Sequence, residues 1–133
     1  MNKKIPLWIL ILTVGWIVID ILDAVAFYTN PSSEYFLPGI DVQIPVVHGA
    51  TWMLAGRCLA NSSVLLIGLL FRDRLVLVSG LVLHAIVDAG DITADVTFGL
   101  ATAGDAMMAV FIILKLTMAV VLFRAMRAVV ALR

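Results

Sequence analysis

The chain has 133 residues, nine Lys/Arg against nine Asp/Glu and zero formal net charge; 63% of its residues are hydrophobic and 14% are charged. Soluble domains run at about 45–50% apolar residues, so a chain this small with a mean hydropathy of +1.13 holds more apolar surface than it can hide from water, and a soluble fold is excluded. There is no basic run or basic–aromatic interleaving to hold nucleic acid, and the single cysteine, Cys58, excludes an intrachain disulfide.

A helix needs about 20 mostly apolar residues to cross the hydrocarbon core, and four segments qualify. The first runs over about 6–27, with Pro6 suited to a first turn. Thr13, Trp16, Asp20, Asp23 and Phe27 alternate three and four residues apart, which puts them on one face. Met1–Lys4, the apolar run and Ala24-Val25-Ala26 have the outline of a cleavable signal. Asp20 and Asp23, just before that site, argue instead for a retained span. The following stretch, 28–45, holds three prolines with Tyr35, Phe36 and Gly39. It is too broken for a helix of ordinary length, and reads either as a cap on the bundle or as an interfacial aromatic belt.

The second span, about 46–71, carries His48, Trp52, Arg57 and Asn61. His48 and Arg57 are nine residues apart and therefore on opposite faces, which assigns His48, close to Pro45, to the outer rim. Arg57 lies near the bilayer centre and requires a carboxylate partner, expected to be Asp88 or Asp20. Gly49, Gly56, Ala60 and Ser63 offer small surfaces for close helix approach, inside one bundle or in a homodimer. Asn61-Ser62-Ser63 matches a glycosylation sequon, but inside a span it has no use as an acceptor.

Arg72-Asp73-Arg74 forms so short a connection that the third span, about 75–96, must be an antiparallel neighbour of the second. Here His84, Asp88, Asp91 and Asp95 are spaced four, three and four residues apart. At 100° per residue they fall within about 60° of one another, a single polar stripe facing the bundle. The fourth span, about 104–126, has a similar line in Asp105, Met108, Ile112 and Lys115. Asp95 and Asp105 also have a simpler reading as helix-terminal residues, with Asp105 at the positive N-terminal end of its helix.

Orientation follows from the basic residues. Lys3, Lys4, Arg72, Arg74, Arg124, Arg127 and Arg133 gather at span ends on one side, whereas 28–45 and 97–103 contain no Lys or Arg. The expected fold is all-α: a four-transmembrane-helix antiparallel bundle in one domain, both termini cytoplasmic, in the inner (plasma) membrane.

Ionisable side chains inside a span cost about 2.5–3.5 kcal/mol each on insertion scales, and they usually mark function. At 1.5 Å per residue, Asp20 and Asp88 lie at similar heights, about 20 Å from the cytoplasmic ends. Asp23, Asp91 and Asp105 lie higher, while Arg57 and Lys115 are near the middle. The expectation is an outward-facing pocket, acidic at its mouth and basic at its floor. Two aspartates near an arginine divide into an ionised and a protonated carboxyl, that is, a general base and a general acid. The catalytic set is therefore Asp88, Asp91, Asp20 and Arg57. His84, Asn61, Trp16, Asp23, Trp52, His48 and Lys115 complete the binding surface. The expected function is an isomerase, cyclase or epoxide-hydrolase type of enzyme acting on a lipophilic small molecule from the bilayer. The alternative is a proton-coupled small-molecule or cation transporter working as an oligomer. His84 and Asp88, at i and i+4, have the spacing to share a metal. No Cys/His motif supports such a site, and neither a metal nor a cofactor is assigned.

The broken first loop with Pro38-Gly39, the Gly56-Arg57 step, Asp88 and Arg72-Asp73-Arg74 together resemble the small four-helix bacterial membrane proteins of the DoxX-like type and related domains of unknown function. That resemblance covers nearly the whole chain; it implies the fold and little about activity. Arg57 and Asn61 are also similar to the Arg-x-x-x-Asn step of the membrane-associated eicosanoid and glutathione metabolism enzymes. Val64 replaces that family's following Glu, which argues against glutathione chemistry.

Overall fold

The computed structural model describes residues 5–29, 44–99 and 102–130. They form four helices: α1 (Leu7–Thr29), α2 (Pro45–Leu70), α3 (Arg74–Phe98) and α4 (Ala103–Val130). All four are long and apolar enough to cross a membrane. The expected spans are all present, each within a few residues of its expected limits. The Pro38-Gly39 stretch and the basic residues Lys3, Lys4 and Arg133 lie outside the described residues.

α2, α3 and α4 begin or end for local chemical reasons. Pro45 occupies the first turn of α2, where its missing N–H costs nothing. At the far end Arg72 takes a left-handed conformation (φ 53°). That residue lets the Asp73 and Arg72 amides turn back onto the carbonyls of Gly68 (2.9 Å) and Leu69 (3.1 Å), the paired bonds of a Schellman ending. Asp73 then caps α3, its carboxylate accepting from the amides of Leu75 (2.8 Å) and Val76 (3.1 Å). α3 ends on Gly99, also left-handed at φ 70°. α4 opens on a capping box: the Gly104 amide donates to Thr102 Oγ1 (3.1 Å), and the Thr102 amide donates back to the Asp105 carboxylate. Asp105 thus does the work its simpler reading assigns to it.

α1 runs unbroken through Ala24-Val25-Ala26 and buries Ala24 in the bundle. The apolar core lies towards the α2–α3 turn, where Ile9, Ile17, Leu65, Leu77, Leu81, Met118 and Leu122 pack together. The opposite faces present Ile11, Met53, Phe71, Leu75, Ile86, Val110 and Ile113, all largely exposed. An apolar exterior of this extent matches hydrocarbon as solvent and would be a liability in water.

α2 and α3 approach through Gly68 and Gly80. A Cβ on Gly68 would sit 2.8 Å from Leu77 Cγ and 3.0 Å from the Leu77 backbone nitrogen; one on Gly80 would sit 3.0 Å from Leu65 Cδ2. Gly49 and Gly56, expected to provide close approach, have nothing within 4 Å of a Cβ. Their face of α2 points away from the other helices, so within one bundle they have nothing to approach.

Gly68→Ala forces Leu77 and its backbone aside, and we expect a loss of about 1–3 kcal/mol, the usual cost of overpacking. Gly15→Ala, on an open face of α1, is expected to be neutral or stabilising by up to about 1 kcal/mol. Thermal unfolding of both variants in the same detergent, followed by far-UV circular dichroism, checks the contrast. For Arg72→Gly, relief of the left-handed strain predicts a gain of about 1 kcal/mol in the same measurement.

Candidate functional site

Three helices bring polar side chains to one buried point. α1 supplies Asp20 and Trp16, α3 supplies His84 and Asp88, and α4 supplies Lys115. Asp20, His84, Asp88 and Lys115 are each more than nine-tenths buried. The spacing of the α3 stripe explains half of this. His84 and Asp88 are one turn apart, and both point inward because Leu77, Leu81 and Ala85 on the same side of the helix are core residues.

The contacts form a chain. His84 Nε2 lies 3.4 Å from Asp20 Oδ1 and 3.7 Å from Asp88 Oδ1. The other Asp88 oxygen accepts directly from Lys115 Nζ. Lys115 Nζ also stands 5.2 Å from the Trp16 ring centre, within range of a cation–π contact. Trp16 is in turn held edge-to-face against Phe111 of α4, with ring centres 6.5 Å apart. Two buried atoms in this group, Asp20 Oδ2 and His84 Nδ1, have no hydrogen-bond partner among the described residues. Buried polar atoms are almost always paired, because leaving one unpaired costs about 1–3 kcal/mol.

A second polar group lies beside the first. Arg57 Nη1 and Nη2 donate to the two Asp91 oxygens at 2.7 and 2.9 Å, a bidentate pair between α2 and α3. This corrects the expectation that Arg57 pairs with Asp88 or Asp20. Asp88 is occupied by Lys115 from the other side of α3, and the angular offset between Asp88 and Asp91 turns the latter towards α2. Each of these two cations lies level with its own carboxylate. Cys58, next to Arg57 in sequence, is half-buried on α2.

The remaining expected residues divide by burial. Asn61 is buried on the inner face of α2, and Asp23 is half-buried one turn above Asp20. His48 and Trp52 are exposed. Their rings lie 5.2 Å apart, with Tyr28 of α1 at 6.1 Å from Trp52, as a separate aromatic group near the ends of α1 and α2. Thr13 is buried but spends its hydroxyl on the Ile9 carbonyl at 2.7 Å. Among the described residues, no group of three or more His, Cys, Asp or Glu side chains has the geometry to hold a metal ion.

The Asp20–His84 contact was not legible in the sequence as a specific pair. Both residues stood on predicted inward faces, but nothing in one chain's periodicity says which inward residues of different helices share a depth. The same holds for Lys115 and Asp88.

Comparison with known proteins finds no matching family model, no curated relative and no solved structure of similar fold.

Breaking a buried ion pair leaves an uncompensated charge and costs about 3–5 kcal/mol, whereas replacing both partners by apolar side chains is often close to neutral. Lys115→Met is therefore expected to destabilise the protein strongly, and Lys115→Met with Asp88→Leu to recover most of the loss. Equilibrium unfolding in mixed micelles across this double-mutant cycle measures both.

Proposed function

We propose that this protein is a membrane-embedded acid–base enzyme acting on a lipophilic small molecule, with Asp20 and His84 as the proton-exchanging pair. The observation that carries the reading is the pair of unpartnered buried atoms, Asp20 Oδ2 and His84 Nδ1, on side chains 3.4 Å apart.

Charge balance supports these roles. Lys115 neutralises Asp88, and Arg57 neutralises Asp91, so both carboxylates are held by cations. Within the buried cluster what remains is one carboxyl, Asp20, facing one imidazole, His84. With the proton on His84 the two form an ion pair; with it on Asp20 both are neutral. The two forms have the same net charge, so passing between them does not alter the charge the interior must bear. Such a pair donates a proton to a bound substrate and takes one back without changing the balance of the site. Asp88 and Lys115 position His84, and Arg57 with Asp91 holds α2 against α3 beside the site. This moves the acid–base work from the expected Asp88 and Asp91 to Asp20 and His84.

Burial favours one reaction type within the class. Isomerisation or cyclisation of an alkene adds a proton at one carbon and removes one from another, so it consumes neither a net proton nor water. A site whose Asp20, His84, Asp88 and Lys115 are more than nine-tenths buried suits that stoichiometry, and suits epoxide hydrolysis, which consumes water, less well. The substrate reaches it from the bilayer, which would also place the protein in the plasma membrane. An up-and-down arrangement with both termini cytoplasmic agrees with Arg72, Arg74, Arg124 and Arg127 at one set of helix ends. The pairing of Gly68 with Leu77, Gly80 with Leu65 and Arg57 with Asp91 agrees with α2 and α3 running in opposite directions.

The test is turnover in deuterated water. Protein in lipid nanodiscs is incubated with a lipophilic extract of bacterial membranes and the extract is analysed by chromatography and mass spectrometry. Interconversion of isobaric species is expected, with deuterium entering from the exchanged pair. Asp20→Asn and His84→Gln should each lower the rate by about 10²-fold or more, the usual share of a general acid or base. Helical content is checked in parallel. If the wild-type protein leaves every component unchanged, or converts it equally well without Asp20, the reading is wrong. Proton flux into protein-containing liposomes that disappears in the same variants would decide for the transport alternative.

A further inference from the structure

The Arg57–Asp91 pair poses a problem that the buried group does not. Arg57 stands at the midpoint of α2 (Pro45–Leu70), roughly 19 Å from either end at 1.5 Å per residue. That is the centre of a hydrocarbon layer about 30 Å thick. Yet the Arg57 side chain is 37% exposed and that of Asp91 31% exposed. Two donors of the guanidinium are satisfied by Asp91, leaving three of its five N–H groups to face whatever surrounds the helix pair. Lipid chains offer those groups nothing, and an unsatisfied polar group in hydrocarbon costs several kcal/mol.

The neighbourhood of the pair is shaped for an occupant with a backbone of its own. Ala60, one turn from Arg57, is exposed, as is the adjacent Gly56, which has nothing within 4 Å of a Cβ among the described residues. On α3, Ala94 lies one turn from Asp91 and is also exposed. Small side chains beside an exposed ion pair leave room for another helix to come close enough to reach it.

We propose that a second copy of this chain covers this face, so that the protein is a two-fold dimer joined along the outer groove of α2 and α3. Charge pattern selects that occupant. A two-fold axis brings the same patch from both copies together, with each residue facing its reciprocal partner. An Arg–Asp pair is self-complementary under that operation: the free N–H groups of one Arg57 meet the Asp91 carboxylate of the other copy, and the reverse. Four charges then close into a neutral ring in which donors otherwise facing lipid find acceptors. A lipid headgroup is a poorer fit at this depth, because headgroups lie at the edges of the layer. The inference is independent of the chemistry proposed for Asp20 and His84.

The experiment uses full-length protein in liposomes, with the dimer fraction read by single-molecule photobleaching over a range of protein-to-lipid ratios. In a Cys58→Ser background, a cysteine is placed at Ala60 or, as a control on the exposed face of α4, at Val110. The wild type is expected to dimerise, and Ala60→Cys to give a covalent dimer on oxidation while Val110→Cys does not. Ala60→Leu, which blocks close approach, and Arg57→Leu with Asp91→Leu, which removes the charges, should each weaken dimerisation at least tenfold. Neither set changes a core position, and the double variant removes both charges together, so folding is checked by helical content and elution profile. A wild type that is monomeric at every ratio overturns the proposal. So does a dimer that cross-links through Val110 rather than Ala60, or one that survives both α2–α3 variants unchanged.

Discussion

Inside a bilayer a charge has no solvent except the protein, and the Lys115–Asp88 pair is where this chain meets that constraint most directly. Both groups are buried at the middle of the helices, and each is expensive to hold there alone. Their pairing ties α4 to α3. Through Trp16, over which Lys115 lies, and through His84, which Asp88 shares with Asp20, the same contacts reach α1. Three helices are thus held in a particular depth register by electrostatics that apolar packing by itself leaves loose, since one Leu–Leu contact is much like another along a span.

Apolar packing and close approach do the rest at the other end of the bundle. The Ile9–Leu65–Leu77–Leu122 core lies towards the α2–α3 turn, and the Gly68 and Gly80 contacts bring those two helices together there. The turn itself is over-determined: a left-handed Arg72, two backbone bonds returning to α2 and an Asp73 cap leave the chain little choice of direction. Arg72 occupies a left-handed position that Gly would adopt more easily.

The two polar groups solve the same problem to different degrees. Around Asp88 every charge is paired inside one bundle, with two atoms of the adjacent Asp20 and His84 left unpartnered. Around Arg57 the pairing is complete between the two residues, but the pair looks outward. One arrangement is closed inside the bundle and the other faces its surface.

Four spans, their limits to within a few residues and the inward faces of α1, α3 and α4 were legible in the sequence. Length, hydropathy and a 3.6-residue period act within one segment, and caps such as Asp73 and Thr102–Asp105 are local chemistry. Which charges meet was not legible. Arg57 was expected against Asp88 or Asp20 and pairs with Asp91 instead, and Lys115 stood on a stripe with no stated counter-charge. Periodicity gives direction around a helix, but not the rotation and offset of one helix against the next. Gly68 and Gly80 were missed for the same reason, while Gly49 and Gly56 promised a packing that the bundle does not make. By itself the sequence determined four helices long and apolar enough to cross a membrane, with charges inside them, because both follow from the composition of single segments. Only the tertiary structure decided that Lys115 belongs to Asp88, Arg57 to Asp91 and Asp20 to His84, because those pairings depend on distances between helices that no single segment contains.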